Sequence, residues 1–288
     1  MTAPLGLVCG AGIMPVRVAD AAAKAGRPVV CVLIEGFARP ADYARFPHEV
    51  IPLGRVGRML AFLRAHGAAD LVLAGRVTRP SLLSFRFDAE GMRLVARLGH
   101  RAVFGGDDGL LSAVLQVLRG EGFRPLGAQE VLGDLLVEAG PLTRHAPDEP
   151  ALADIARGIR VTQALGTADV GQGCVVQQGL VLAVEAIEGT DAMLARCGPL
   201  RRPGPGGVLV KLVKPRQDVL VDLPAIGPAT VEAAAAAGLA GIAIEARAAH
   251  AGTLVVDRTA TVAAAEAAGL FLLALRPSEF LQTRGDQG

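Results

Sequence analysis

The sequence predicts an α/β protein made of two units. Short aliphatic runs, typical of buried strands, alternate with segments of helical periodicity along all 288 residues. A chain of this length can form two medium-sized cores. Residues 138–150 contain three prolines and no periodicity, which is typical of a linker. We therefore predict an N-terminal domain over residues 1–137, a linker over 138–150 and a C-terminal domain over 151–288.

The N-terminal domain shows a regular alternation of strands and helices. LGLVCG forms the first strand, Gly10-Ala11-Gly12 a tight turn, and Pro15 begins a helix that stops at Gly26. The later elements are a strand at 28–36, a helix at 54–67, a strand at 71–77, a helix at 109–119 and a strand at 125–131. This order predicts a Rossmann-like parallel sheet covered on both faces.

The C-terminal domain shows a mixed pattern. Residues 173–187 resemble a hairpin that turns near Gln178-Gly179, and Thr190 opens a short helix. The other elements are helices at 151–165, 228–237 and 260–268 and strands at 208–213, near 240–245, near 253–257 and at 271–275. We predict an α/β or α+β domain with at least one antiparallel pair of strands.

Composition excludes several classes of function. A net charge of +1 with 3% aromatic residues argues against nucleic acid as a partner. The four cysteines form no C-x-x-C pair and the five histidines no H-x-H pair, which argues against a zinc site. The sequence shows no basic leader and no apolar run of about 18 residues, so we expect a cytosolic protein with reduced thiols. A positive mean hydropathy leaves contact with a membrane surface open.

The first turn suits a phosphate or nucleotide. A strand, then Gly10-Ala11-Gly12, then a helix with Pro15 in its first turn would point free backbone N–H groups at a ligand. Pro15 replaces the third glycine of the dinucleotide fingerprint, whereas Glu35 imitates its ribose-binding acid. The alternative is a tight turn with a solvated Glu35.

Charged residues follow two other elements of the first domain. Arg76 and Arg79 come after the third predicted strand, at the sheet edge where α/β folds bind ligands, and could clamp a phosphate. Ordinary surface arginines are the alternative. Asp107 and Asp108 fit either a metal site or the N-cap of the following helix.

The main clue to function lies between residues 169 and 227. Glu185 and Lys211 each lie in a run of aliphatic residues, where an unpaired charge is unfavourable. Either they pair with each other inside the sheet, or they line a cleft in which a charged ligand completes the pairing. Thr190 and Asp191 stand where a strand passes into a helix, and Thr190 also fits a plain N-cap.

A mixture of acids and lysines suits a diphosphate with magnesium. Lys211 and Lys214 would offset phosphate charge, and carboxylates beside a phosphate require a hard cation such as Mg²⁺. Asp191, Asp222 and Glu185 are the predicted metal ligands. Asp222 is the best candidate to deprotonate the attacking water, since Pro224 and Gly227 fix the backbone after it; a helix-entry cap is its alternative role.

Long, ordered motifs add a resemblance over nearly the full length. The motifs are LGLVCGAGIMPV at 5–16, AGRVTRP at 74–80, GDDGLL at 106–111, GAQEVLG at 127–133, DVGQG at 169–173, GLVLAVEAIEGTDAML at 179–194 and KPRQDVLVDLPAIG at 214–227. In these the chain resembles the UDP-2,3-diacylglucosamine pyrophosphatase family of lipid A synthesis, the two-domain, metal-dependent type that is unrelated to calcineurin-like enzymes.

The resemblance implies a reaction and a set of residues. The expected reaction is Mg²⁺-dependent hydrolysis of UDP-2,3-diacylglucosamine to UMP and 2,3-diacylglucosamine 1-phosphate in a cleft between the domains, with water attacking the sugar-side phosphorus. Asp222 corresponds to the family's catalytic aspartate. Thr190, Asp191, Lys211 and Lys214 fall on family motif segments and are expected to hold substrate. With the glycine turn, Arg76 and Gln172, the predicted substrate-binding residues are Gly10, Gly12, Arg76, Gln172, Thr190, Asp191, Lys211 and Lys214.

The expected substrate agrees with the aliphatic composition. Two acyl chains need apolar surface, at about 0.8 kcal/mol per buried CH₂ group, and a peripheral contact with the inner face of the cytoplasmic membrane would supply such lipids. Two alternatives remain: a carrier that binds lipid or nucleotide without turnover, and a nicotinamide-dependent oxidoreductase that uses the first glycine turn.

Overall fold

The protein is described by a computed structural model that covers residues 3–77, 88–98, 107–215, 220 and 223–285. The chain forms two compact units, Met1–Gly133 and Asp134–Gln217 with Leu223–Gly288. Each unit contains its own sheet. No helix among the described residues has the length and apolar character needed to cross a membrane.

The first unit is built on a five-stranded parallel sheet. Its strands are β1 Leu5–Cys9, β2 Val29–Ile34, β3 His48–Ile51, β4 Asp70–Ala74 and β5 Arg124–Leu126. They lie in the order β3-β2-β1-β4-β5, with every pair parallel. This is the order of a doubly wound sheet, which brings the loops after β1, β2 and β4 to one edge.

Helices join these strands. They are α1 Met14–Lys24, a 3₁₀ helix Pro40–Tyr43, α2 Val56–Ala65, α3 Ala89–Leu98, α4 Asp107–Gly120 and α5 Ala128–Val131. At the opposite edge of the sheet, Asp70 accepts hydrogen bonds from the guanidinium groups of Arg124 and Arg27, which hold the pKa of Asp70 below its usual value. These ion pairs fix the start of β4 against its neighbours.

The second unit contains a six-stranded mixed sheet. Its strands are β6 Gly140–Pro141, β7 Gly173–Gln177, β8 Leu180–Val184, β9 Val208–Lys211, β11 Gly241–Glu245 and β13 Phe271–Leu275, in the order β6-β13-β11-β9-β7-β8. The three central strands, β13, β11 and β9, are parallel. The outer strands β6, β7 and β8 pair antiparallel with their neighbours. A separate parallel pair is formed by β10 Ala225–Ile226 and β12 Leu254–Val255.

Helices cover both faces of this mixed sheet. They are α6 Glu149–Thr167, α7 Gly189–Cys197 followed by a 3₁₀ helix Gly198–Leu200, α8 Pro228–Ala236, α9 Arg258–Ala267 and α10 Pro277–Gly285. Alternate residues of β9 point to opposite cores. Leu209 packs with α7, α8 and α9, whereas Val208 and Val210 pack with α6.

The predicted fold class is confirmed, and so is the antiparallel hairpin β7–β8. Its turn residues Gln178 and Gly179 both have positive φ, and their amides donate to the buried carboxylate of Asp154. The strand predicted at 125–131 is wrong beyond Leu126. The amide of Gly127 donates to Glu130 at 2.7 Å, an interaction that starts the short helix α5 instead.

Several elements were not predicted from the sequence; they include β3, α3 and α10. The segment 138–150, predicted as a linker, includes β6, which pairs with β13. The predicted domain limits stay a prediction.

Candidate functional site

A buried ion pair lies at the carboxyl end of β9 in the second unit. The Nζ of Lys211 is 3.2 Å from Oε1 of Glu185, and the two residues are 3% and 6% exposed. Thr190 donates its hydroxyl to the same oxygen at 2.6 Å and accepts from Lys211. Of the two arrangements that the sequence left open, these side chains adopt the first, pairing with each other. Thr190 therefore serves the ion pair rather than an N-cap, which is the position of Glu188.

The DVGQG motif makes room for Glu185. A Cβ added to Gly171 would lie 2.0 Å from the carbonyl oxygen of Glu185, and one added to Gly173 would lie 2.8 Å from its Oε2. The amide of Glu185 also donates to the Gly173 carbonyl. A side chain at Gly171 would collide with the Glu185 backbone, and one at Gly173 with the carboxylate that pairs with Lys211, so both positions require glycine.

The chain leaving β9 is held from three sides. The Oγ1 of Thr253, which is fully buried, donates to the carbonyl of Lys211 at 3.0 Å. The amide of Leu212 donates to the Gln172 carbonyl, and the amide of Val213 donates to Oε2 of Glu245 at 2.9 Å. Burial raises the pKa of Glu245. These contacts fix the backbone that carries both candidate lysines. Neither Thr253 nor Glu245 was predicted from the sequence.

Lys214 belongs to the other face of the sheet. Its Nζ lies 3.0 Å from Oδ1 of Asp169, and its backbone packs against Gly166 at the end of α6. Asp169 has a φ of 53°. The structure thus brings Glu185, Thr190 and Lys211 together on the α7 face but places the ion pair of Lys214 on the α6 face.

Polar and aliphatic residues surround this strand end. Asp191 is exposed in the first turn of α7, and Gln172 is half-buried beside β7. Val170, next to Gly171 in the chain, and Ile187, two residues after Glu185, are exposed, with Ile187 fully accessible. Exposed aliphatic side chains therefore lie close in sequence to the polar cluster.

In the first unit, the glycine turn pairs with the chain after β4. The amides of Gly10 and Ala11 donate to the carbonyls of Ala74 and Arg76, and the Arg76 amide donates back to Ala11. The expectation that the whole turn offers free N–H groups is therefore wrong for Gly10 and Ala11. A Cβ on Gly10 would lie 2.7 Å from the Arg76 carbonyl oxygen, so Gly10 permits a close backbone approach.

A cavity of about 320 Å³ opens beside this turn. It lies between the turn after β1, including Gly10 and Gly12, and the chain after β2, including Arg39, Asp42 and Tyr43. Glu35, the acid that the sequence suggested for a ribose, is exposed and is not part of the lining. Asp42 was missed because it follows β2 only after a loop, in the 3₁₀ helix.

Some predicted residues lie outside the described residues. They are Arg79 and Asp222, together with the side chains of Asp107 and Asp108. Within the described part of the chain, no three histidine, cysteine, aspartate or glutamate side chains form a group that could hold a metal ion. The backbone soon after Asp222 is anchored, because the Pro224 carbonyl accepts from Leu254 at 2.7 Å.

Comparisons with known proteins agree along both units. Residues 4–135 match the LpxI N-terminal domain and residues 138–273 match the LpxI C-terminal domain. The chain is 42% identical over 281 residues to the UDP-2,3-diacylglucosamine pyrophosphatase LpxI of Caulobacter vibrioides, which covers 96% of this chain and 98% of that protein. Among solved structures, the biotin carboxylase subunit of pyruvate carboxylase aligns with 64% of this chain and 36% of its own, at 12% identity and a TM-score of 0.26, too low to indicate a relation. Because both domains match and the 42% identity extends over nearly the full length of the chain, the chain belongs to the LpxI family.

Proposed function

We propose that this protein hydrolyses the diphosphate of UDP-2,3-diacylglucosamine, releasing UMP and 2,3-diacylglucosamine 1-phosphate. The observation that carries the proposal is the 42% identity with a UDP-2,3-diacylglucosamine pyrophosphatase over 96% of this chain. The motifs DVGQG and GLVLAVEAIEGTDAML contain residues of the Glu185 cluster, and their polar and charged side chains are of the kind that a diphosphate substrate requires.

The polar groups at the end of β9 would hold the reacting part of the substrate. Thr190 and Asp191 lie in the first turn of α7, where the positive end of the helix dipole favours an anion. Gln172, Lys211 and Lys214 complete the proposed binding set. Arg76 would add a cation beside the glycine turn of Gly10 and Gly12.

Asp222 is the proposed general base. It would take a proton from water as the water oxygen attacks the sugar-side phosphorus, and the bond from that phosphorus to the bridging oxygen would break, with UMP as the leaving group. The carboxylate gains one proton and no other reactant is consumed.

A dependence on Mg²⁺ stays a prediction. Asp191, Asp222 and Glu185 are the proposed ligands, but Glu185 already accepts from Lys211 and Thr190. The described residues alone therefore do not fit a metal site, and we derive no step through the ion. Activity that is undiminished after Mg²⁺ has been removed with EDTA would contradict the predicted dependence on Mg²⁺.

The acyl chains would contact exposed aliphatic side chains that are close in sequence to the cluster. Val170 and Ile187 are exposed, and burying such side chains against lipid is favourable. A contact with the cytoplasmic membrane on this side is part of the proposal. Co-sedimentation with phospholipid vesicles that decreases in an Ile187→Asp variant is the expected outcome.

Product analysis tests the proposed reaction. Purified protein with UDP-2,3-diacylglucosamine and Mg²⁺ should release UMP and the sugar 1-phosphate in equal amounts. In ¹⁸O-labelled water, the label should enter the sugar 1-phosphate and not UMP. A lipid or nucleotide carrier would return the substrate unchanged, and a nicotinamide-dependent oxidoreductase would change the cofactor absorbance without releasing UMP.

A further inference from the structure

The pairing of β9 with β11 ends at Lys211, and two side chains supply hydrogen bonds to the backbone beyond that point. Lys211 pairs with Ile244 and is the last residue of β9. Its carbonyl accepts from the hydroxyl of Thr253 at 3.0 Å. Two residues further on, the amide of Val213 donates to Oε2 of Glu245 at 2.9 Å. The chain that leaves β9 is therefore held in place by the side chains of Thr253 and Glu245.

These two residues also hold each other. The amide of Glu245 donates to Oγ1 of Thr253 at 3.2 Å, and the amide of Thr253 donates to the Glu245 carbonyl at 2.9 Å. The Thr253 hydroxyl thus accepts one backbone hydrogen bond and donates another, and the residue is fully buried. With both bonds made, the hydroxyl is fixed in one orientation. Glu245 and Thr253 together form what we term the Glu245–Thr253 clamp.

The residue that follows the clamp holds the chain again at a second point. The amide of Leu254 donates to the Pro224 carbonyl at 2.7 Å. Val213 and Pro224 are therefore both bonded to the same short stretch of chain. Residues 214–223 connect these two anchored points, and they include Asp222, the proposed general base. The clamp and Leu254 thus hold the backbone on either side of the segment that carries Asp222.

Glu245 is an unfavourable residue at this position if only stability is considered. Its side chain is half-buried. Burial raises the pKa of its carboxyl group, and the hydrogen bond from Val213 offsets part of that rise. An ionised carboxylate in such a place opposes folding. Buried carboxylates with a raised pKa are concentrated at functional sites, so the position indicates a role beyond the fold.

We propose that Glu245 and Thr253 are positioning residues for the hydrolysis: they fix the backbone at Lys211 and Val213, and thereby place the segment that carries Asp222. Neither side chain has to touch the substrate. A displacement of about 1 Å at a reacting group can lower the rate by about a hundredfold, so the loss of one of these hydrogen bonds should be seen in turnover. The inference rests on the proposed function and on the role of Asp222 in it.

Thr143 provides a matched control for Thr253. Its hydroxyl also accepts from a backbone amide, that of Leu272 at 2.9 Å, and donates to a backbone carbonyl, that of His145 at 3.3 Å. Thr143 is buried in the same unit, but it contacts the start of β13 instead of the end of β9. Valine has nearly the shape of threonine and lacks the hydroxyl. Thr253→Val and Thr143→Val should therefore lose similar amounts of stability for different functional results.

Hydrogen–deuterium exchange tests the structural part of the inference without substrate. In Thr253→Val, amides within residues 212–224 should exchange faster than in the wild type, because two backbone groups lose their partner. Thr143→Val should leave the exchange of residues 212–224 unchanged. Thr253→Ser keeps the hydroxyl and should match the wild type.

Turnover tests the functional part. Release of UMP from UDP-2,3-diacylglucosamine is measured at a temperature at which circular dichroism shows every variant to be folded. We expect kcat to fall roughly tenfold to a hundredfold in Thr253→Val and in Glu245→Leu, with a smaller change in KM. Thr253→Ser and Glu245→Gln keep the hydrogen-bonding groups, so their kcat should stay near that of the wild type, as should that of Thr143→Val.

Unchanged exchange of residues 212–224 in Thr253→Val overturns the inference, and so does an equal kcat in Thr253→Val and Thr143→Val. A loss in Glu245→Gln as large as in Glu245→Leu overturns the role of the bond to Val213. If Thr253→Val does not fold, the comparison of Glu245→Leu with Glu245→Gln decides. A wild-type protein that releases no UMP refutes the proposed function, and the exchange measurement then decides whether the clamp fixes the segment.

Discussion

Polar side chains at the sheet edges of the two units differ in their burial and pairing. In the first unit, Asp42 stays partly accessible beside an open cavity, and the Arg39 guanidinium orients it. In the second unit, Lys211 and Glu185 are buried and neutralise each other, with Thr190 as a third partner. An accessible, oriented carboxylate can still receive ligand hydroxyls, whereas a satisfied buried pair mainly fixes the geometry around it.

Glycines show the same contrast. Gly10 in the first unit lets two backbone turns meet, and the space beside them stays open. Gly171 and Gly173 in the second unit let the Glu185 backbone and carboxylate fill the space instead. A glycine-rich motif therefore indicates close approach, and the neighbouring chain decides whether a ligand or a side chain occupies the gap.

The largest expected effect separates the chemical step from substrate binding. Asp222→Ala should reduce kcat by about 10²- to 10⁴-fold, because the proposed general base is lost, while the substrate is still bound. The rate of UMP release and the affinity for the substrate are the two measurements. Asp218→Ala is the matched control in the same segment and should affect turnover far less. Wild-type kcat in Asp222→Ala would remove that residue from the chemistry.

The buried pair predicts a large effect on stability. Lys211→Met should destabilise the protein by about 3–5 kcal/mol, because it leaves the Glu185 carboxylate buried without its cation. Denaturant unfolding followed by circular dichroism measures this change. In the double variant Lys211→Met with Glu185→Leu, no charge is left unpaired, so most of the stability should return.

Turnover in that double variant distinguishes two roles for Lys211. If Lys211 only supports the fold, KM should return to the wild-type value together with stability. If Lys211 also binds the diphosphate, stability should return and KM should stay raised. The value of kcat reports separately on the loss of Glu185, a proposed Mg²⁺ ligand. A single variant as stable as the wild type would contradict the observed pairing.

The glycine contrast is sharpened by a pair of alanine variants. Gly171→Ala should destabilise the second unit by about 1–3 kcal/mol, since its Cβ would collide with the Glu185 carbonyl. Gly179→Ala meets no neighbour but has a φ of 75°, so it should lose about 1–2 kcal/mol through backbone strain alone. Only Gly171→Ala should also reduce turnover, by displacing Glu185. Thermal melts and initial rates check both expectations.

The smallest expected effect concerns Glu245. Burial raises its pKa above the unfolded value of 4.5, so its ionisation opposes folding, and the associated stability is lost as pH rises through the folded-state pKa. Glu245→Gln keeps an acceptor for the Val213 amide without the charge. Its Tm should match the wild type near pH 4 and exceed it slightly near pH 8. A variant less stable than the wild type at pH 8 would show that the charge itself strengthens the bond to Val213.

Local patterns were sufficient to predict most elements near the candidate sites. The hairpin turn at Gln178-Gly179 and the strand Phe271–Leu275 agree with the sequence, because alternation, glycine and aliphatic runs act locally. Helix α3 was missed although Asp88 provides a cap for the Gly91 amide at 2.7 Å. Strand β3 was missed because His48-Glu49-Val50-Ile51 has no run of aliphatic residues, and its pairing with β2 stabilises it.

By itself the sequence determined the α/β class, the family motifs and which residue types could meet a diphosphate, since periodicity and motif order are properties of the chain alone. Tertiary structure decided which of those side chains contact each other. It joined Lys211 to Glu185 and Thr190, separated the Lys214 pair onto the other face, and placed Asp42 instead of Glu35 at the cavity. Pairing of charges from distant segments depends on strand order and register, which no local pattern specifies.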